Sequence, residues 1–379
     1  MSDSEDHITP FRLPADQSKP AKESFAERLR RRREELVSGN EVKAISSWQS
    51  RARTLTALVV ECPHAATYIV RRNSERARAV EGIEAILFAQ DIPPFRNSLG
   101  HDFSGEPLLA EEEVHYRGQA VALVIGKDEK CCRAAMALLE IEYHPSPGIL
   151  TIDHALAMSS YHETPRICER GNIAPALKSG YGKKSGSFLI PPQQASLIGP
   201  TELTVTPVNG GQGYSVRTRA LSPTLVRTAV ARNADIPESD IQIATIDLDG
   251  VTDALEMEPV RLAMLATRAA MTCGAAVTIK TACGDSALVR GQRHATKVDF
   301  EVAFNLKGRI EALDLRLYVD GGYFATDSAT VMDRATLHAD SVYGIPNLRI
   351  TSRLCRTNRI TSSALPAEGS AQGAWAIEE

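Results

Sequence analysis

Apolar and polar positions alternate most regularly in the C-terminal part of the chain. Val298, Phe300, Val302 and Phe304 are separated by charged or small residues, the period of a half-buried strand. Asn305, Lys307 and Gly308 supply turn chemistry. Leu313, Leu315, Leu317 and Val319 then alternate with Asp314, Arg316, Tyr318 and Asp320. Two strands joined by a short polar turn predict a hairpin, and Gly321-Gly322 ends it.

The same reading extends upstream. Residues 55–61 form a strand pattern, and the following CPHAATYIV reads as its continuation, with His64 just after Pro63. Residues 81–89 read as a second strand, and 121–125 are the unbroken apolar run of a buried one. Within 130–143, Cys132, Ala135, Met136 and Leu139 recur at helical spacing before the chain turns into a strand. Residues 202–207 and 213–219 predict another hairpin through Asn209-Gly210-Gly211. A helix over 221–233 starts with Ser222 as N-cap and Pro223 at the first helical position, burying Leu225, Val226, Ala229 and Val230. A strand over 241–248, a long helix over 255–272 and a strand over 276–281 follow.

These elements divide the chain into a polar tail (1–45), a first compact unit (46–160), a connector rich in Pro, Gly and Lys (161–187), and a second unit (188–379). The tail, with Pro10, Pro14 and Pro20, has little apolar periodicity and reads as weakly ordered. Its one helical stretch, 25–37, carries arginines 30–33, which read as a solvated face neutralised by neighbouring glutamates.

Composition changes this picture little. With 43% hydrophobic residues and a net charge of −4, the chain has no general reason to coat nucleic acid or anionic lipid. It has no apolar run long enough for a membrane span and no secretory h-region, so a cytoplasmic location is expected. Seven scattered cysteines without a C-x-x-C argue for reduced thiols, against a disulfide scaffold and against an iron–sulfur cluster on this chain.

The wording of several stretches carries more. They include GQRH (291–294), LKGRIEALDLRLYVDGGY (306–323), MDRATLHADSVYGIPNLRI (332–350) and CRTN (355–358). Upstream lie the strand ending in PHA, A-x-D-I-P, EPLLA, Y-x-G-Q-x-V-A-L-V and I-E-Y. Together they resemble the molybdopterin-binding large subunit of the xanthine dehydrogenase and aldehyde oxidase family. The resemblance implies an α+β fold: an α/β hammerhead domain over 46–160, then the first half of a molybdopterin-binding domain of mixed sheets and helices over 188–379. ERGNIAPALKSG, in the connector, resembles the family's short helix before the cofactor domain.

Family enzymes hydroxylate an electrophilic carbon through a molybdenum-bound hydroxide activated by a glutamate, with polar side chains orienting the substrate. The resemblance places Gly118 and Gln119 nearest the cofactor. In the first pterin-side segment the glutamine corresponds to Ser185 and the substrate-contacting glutamate to Pro191. In the second, Gly250 and Glu256 survive, while Val251 and Ala254 replace glycines beside Asp249 and Asp253, which reads as an ordinary acidic helix start. In the third, the arginine corresponds to Pro366 and an aromatic to Glu368, with Gly369, Gln372 and Gly373 kept. No glutamate matches the base, which lies in a far C-terminal domain in relatives. His64 reads as a structural histidine.

The expected cofactor-facing positions are thus Gly118, Gln119, Gly250, Glu256, Gly369, Gln372 and Gly373, with no catalytic or metal-ligating residue assigned. Molybdopterin with molybdenum is the cofactor by resemblance alone, and the losses point to none being bound. The expected function is a truncated, catalytically incompetent relative acting as a scaffold or partner-binding chain. Its partners would be iron–sulfur and flavin subunits or a homologous large subunit. Two alternatives stay open: one part of a split, active molybdenum hydroxylase, or a cofactor-free binding module.

Overall fold

The computed structural model describes residues 53–99, 105–193, 201–245, 257–281 and 292–379. The polar tail, the helix expected over 25–37, the end of the strand expected over 241–248, and Cys283 lie outside them, as do Gly250 and Glu256. The compact unit considered below begins at Arg53.

β1 (Thr54–Glu61) stops before Pro63, and β2 (Thr67–Asn73) belongs to a different sheet. CPHAATYIV therefore does not continue the first strand. Pro63 has no amide to offer a ladder, and the chain becomes extended again only at Thr67. A short helix, α1 (Glu75–Arg78), precedes β3 (Ile83–Leu87), β4 (Glu113–Val114) and β5 (Ala120–Gly126). Every residue of β5 is buried: Leu123 and Ile125 enter one core, Ala122 and Val124 another, as alternation of side chains along a strand requires. Asp128 caps α2 (Glu129–Leu138) by accepting the Cys131 amide at 2.8 Å, and the chain passes directly into β6 (Glu140–Pro145). Thr151 likewise caps α3 (Ile152–Ala157).

The stretch expected as a connector carries β7 (Arg166–Arg170), α4 (Ile173–Ser179) and most of β8 (Gly182–Ile190). β8 hides in the sequence because it is an edge strand. Lys183, Lys184 and Ser185 face solvent, so no apolar alternation is needed over its first half.

β9 (Thr201–Val208) and β10 (Gly213–Thr218) form the expected hairpin, with Gly210 at φ 69° in its turn. α5 (Pro223–Ala234) begins where expected, the Ser222 hydroxyl accepting the Leu225 amide at 3.3 Å. β11 (Ile241–Thr245), α6 (Met257–Cys273) and β12 (Ala276–Thr281) follow. β13 (Thr296–Phe304) and β14 (Ile310–Asp320) are the long antiparallel hairpin, its turn tied by the Asn305 Oδ1, which accepts the amides of Lys307 at 3.0 Å and Arg309 at 3.1 Å. α7 (Ser328–His338), β15 (Asn347–Cys355) and α8 (Ser370–Glu378) complete the described elements.

The fold is a mixed α+β arrangement. A seven-stranded sheet has the order β11-β10-β9-β12-β1-β5-β3, in which β1 pairs in parallel with β12. Strands from both halves of the sequence thus share one sheet. α5 and α6 bury Val226, Val230, Val260 and Leu265 on one face, while α2 buries Cys132 and Ala135 on the other. A five-stranded sheet, β7-β15-β14-β13-β8, packs Leu313, Leu315 and Leu317 with Ala335 of α7 and Ala376 of α8. The remaining sheet is β4-β2-β6.

Candidate functional site

Gly118 adopts φ 94°, a conformation that favours glycine. Its amide donates to the Cys62 carbonyl at 2.8 Å, and the Cys62 amide donates to the Gln119 carbonyl at 2.9 Å, joining the end of β1 to the start of β5. Gln119 is buried; its Oε1 accepts the His115 amide at 2.7 Å, while its Nε2 has no hydrogen-bond partner among the described residues. The His115 ring stacks on Tyr323, 3.9 Å between centroids and 2° from parallel, and meets the edge of Phe324. Arg356 lies over Tyr323 at 4.2 Å. Burial lowers the His115 pKa, with Glu113 acting in the opposite sense. His115 and Phe324 border a cleft of about 470 Å³ whose other walls include Glu111, Glu112, Glu113, Gln90 and Asn97. His64 does not line it; the ring of His64 rests edge-on against Tyr143, in keeping with a structural role.

What carries Tyr323 and Phe324 to His115 is the end of the long hairpin. The buried Asp320 accepts the Gly322 amide at 3.0 Å and the Thr357 hydroxyl at 2.7 Å through Oδ1. Gly322 has φ 75°, and a side chain there would collide with the Ile360 carbonyl. Only glycine admits this approach, so the Gly321-Gly322 pair does more than end a strand.

Gly369, Gln372 and Gly373 lie at the start of α8. A Cβ at Gly369 would strike the Val331 carbonyl, and one at Gly373 the Ala335 carbonyl. These glycines therefore serve the close packing of α8 on α7. Gln372 Nε2 donates to the His294 carbonyl at 3.4 Å, and its Oε1 has no described partner. His294, fully buried, shares a hydrogen bond of 2.7 Å with the Ser328 hydroxyl at the start of α7. Burial, reinforced by Arg293, holds its pKa down to about 3, so the ring is neutral. Neither His294, within GQRH, nor Asp320 carries a local sequence signal of burial.

The residues that the resemblance sets against polar groups of the family are open to solvent. Ser185 is exposed on β8, and Pro191 and Pro366 are exposed. The Pro366 carbonyl accepts from Arg293 at 2.9 Å, and Glu368 pairs with Arg334. A further cluster has no signature in the sequence. Buried Glu106 accepts from Tyr116 at 2.6 Å and from Arg261 of α6 at 2.5 Å, while Thr361 donates to its other oxygen at 3.3 Å.

A molybdopterin is an anion that needs amide donors and glycines with space before them. Two described features do not suit it: Gly369 and Gly373 face α7 carbonyls, and the cleft bordered by His115 presents three glutamates. No group of three His, Cys, Asp or Glu suited to a metal occurs among the described residues. The six described cysteines are free, four of them buried.

Comparison with known proteins bears on these features together. Residues 160–379 match the molybdopterin cofactor-binding domain, and residues 49–147 match the a/b hammerhead domain of aldehyde oxidase and xanthine dehydrogenase. The chain is 28% identical over 322 residues to a xanthine dehydrogenase of Oryza sativa subsp. japonica, covering 84% of this chain and 23% of the relative. It is 28% identical over 314 residues to aldehyde oxidase 3 of Rattus norvegicus, covering 83% and 23%. It therefore spans about a quarter of the length of these relatives. Among solved structures, quinoline 2-oxidoreductase from Pseudomonas putida 86 superposes with a TM-score of 0.77 at 22% identity, over 89% of this chain and 46% of that one. Reconstituted CO dehydrogenase from Oligotropha carboxidovorans gives 0.77 at 17%, over 95% and 49%. Both share its fold.

Proposed function

The chain belongs to the family of molybdopterin cofactor-binding domains, and we propose that it is a catalytically silent member acting as a scaffold or partner-binding chain. One observation carries this reading: Ser185, Pro191 and Pro366, which the resemblance sets against polar groups of the family, are exposed, while the glycines kept at Gly369 and Gly373 are taken up by helix packing. A side chain that cannot donate or accept cannot orient a substrate or stabilise developing charge.

Exposed Tyr181, Leu189, Leu337 and Val342, together with the edge strand β8, support a role in pairing with another chain. Its partners in this reading are a homologous large subunit or iron–sulfur and flavin subunits, in the cytoplasm. No described helix is long and apolar enough to cross a membrane. Light scattering is expected to show self-association or a complex with such a chain; a monodisperse monomer that captures neither counts against it.

A second reading has a specific observation behind it. Gln119 Nε2 and Gln372 Oε1 are buried without described partners, as expected of groups awaiting a ligand. In that reading the chain is one part of a split molybdenum hydroxylase. Expression in a host that makes molybdenum cofactor, followed by metal and pterin analysis, separates the two. A near-stoichiometric content establishes the split enzyme, and its absence from the folded protein supports the silent scaffold.

A further inference from the structure

We propose that a cleft between the turn Pro94–Arg96, the C-terminal end of α5 and the middle of α6 binds a small organic anion with a flat apolar body. The turn follows from the sequence: Pro93-Pro94 favours a tight bend, which delivers Phe95 and Arg96 to the end of α5. There the last carbonyls of the helix lack intrahelical donors. The Arg96 guanidinium donates to the Arg232 carbonyl and pairs with Asp235, while the Arg96 carbonyl accepts from Asn233 Nδ2 at 3.1 Å. Arg268 of α6 donates to the Asn233 carbonyl.

This capping explains part of the arrangement but leaves a remainder. The guanidinium groups of Arg96 and Arg268 both reach carbonyls at the end of α5, where Asp235 pairs with Arg96 and Arg232 lines the adjoining cleft. Burial and then the Arg96 charge lower the Arg268 pKa, as for two cations held close together. Asn233 is only 1% exposed, yet its Oδ1 has no hydrogen-bond partner among the described residues. Beside it lies a cleft of about 400 Å³, whose walls include Phe95, Met264, Arg96, Ser98, Arg232 and Asn233. That is room for a small organic molecule. Phe95 is 75% exposed, an aromatic face with Arg96 4.9 Å from its centre, and the buried Met264 also borders the cleft.

The chemistry sorts itself accordingly. A carboxylate meets the exposed Arg232, a flat ring lies against Phe95 and Met264, and an N–H or O–H donor answers Asn233 Oδ1. The ligand class is an aromatic acid carrying a donor group. This inference does not rest on the reading of the family site, and its test requires no molybdenum.

Anthranilate, which has the ring, the carboxylate and an amine, is titrated into the purified chain and followed by its fluorescence, with aniline as the neutral control. Saturable anthranilate binding in the millimolar range or tighter is expected, with aniline weaker by about tenfold, the loss of one charge-assisted pair. Arg232→Gln, at an exposed position, is expected to weaken anthranilate by a similar factor, and Phe95→Ala to weaken both compounds. Circular dichroism verifies that each variant is folded. Absence of saturation, equal binding of aniline, or unchanged binding in Arg232→Gln overturns the proposal.

Discussion

Glu106, Tyr116 and Arg261 form a buried cluster in which the carboxylate meets a guanidinium, whereas His294, Ser328 and Gln372, equally enclosed, carry no charge. Both solve the problem that polar groups are costly inside a protein. The first compensates charge with charge and uses both Glu106 oxygens, drawing residues 106, 116, 261 and 361 together. The second avoids charge by keeping an imidazole neutral, and it leaves His294 Nδ1 and Gln372 Oε1 without described partners. A compensated cluster fails when a member is lost; a neutral one fails when a proton arrives.

The largest expected effect follows from the charged cluster. Glu106→Ala leaves the Arg261 guanidinium, whose side chain is 11% exposed, without its counter-charge. A loss of about 3–5 kcal/mol of stability is expected, read from urea unfolding. A loss under about 1 kcal/mol, the range of surface pairs, would show that solvent reaches the cluster and would erase the contrast.

Next comes the packing that supports the neutral cluster. Gly369→Ala places a methyl group against the Val331 carbonyl at a residue with φ 72°, which should cost about 1–3 kcal/mol through overpacking and backbone strain together. If the family's glycine were kept here for cofactor approach, the apo protein would unfold at an unchanged temperature.

The proton test concerns His294. Its folded pKa, about 3, lies below the ordinary value near 6.5, so the neutral ring's contribution is complete above that value and declines as pH falls toward about 3. By pH of about 5 a loss near 2 kcal/mol is expected from this group. His294→Asn should remove that portion of the acid slope while lowering stability at neutral pH. An identical slope in both proteins would assign the acid sensitivity elsewhere.

The smallest effect is expected at the rim of the same region. Glu368 pairs with Arg334 where both side chains are partly exposed. Glu368→Gln should change stability by less than about 1 kcal/mol, and less still in high salt.

Much of the architecture was legible because it repeats a local period. The hairpin of β13 and β14, the Ser222 cap of α5 and the buried run of β5 all announce themselves within a few residues. β8 did not, because residues 183–187 are exposed on both faces, so neither face demands apolar side chains. The break at Pro63 is masked in the sequence because both flanking stretches favour extended backbone.

The sequence by itself determined the family and most of the elements, since these depend on residue identity and short-range periodicity. Tertiary structure alone decided what the retained residues do. That Gly369 and Gly373 serve α7, that His294 is buried and neutral, and that Glu106 finds Arg261 depend on contacts between residues far apart in the chain. Burial and electrostatic pairing are properties of such contacts, and no local pattern encodes them.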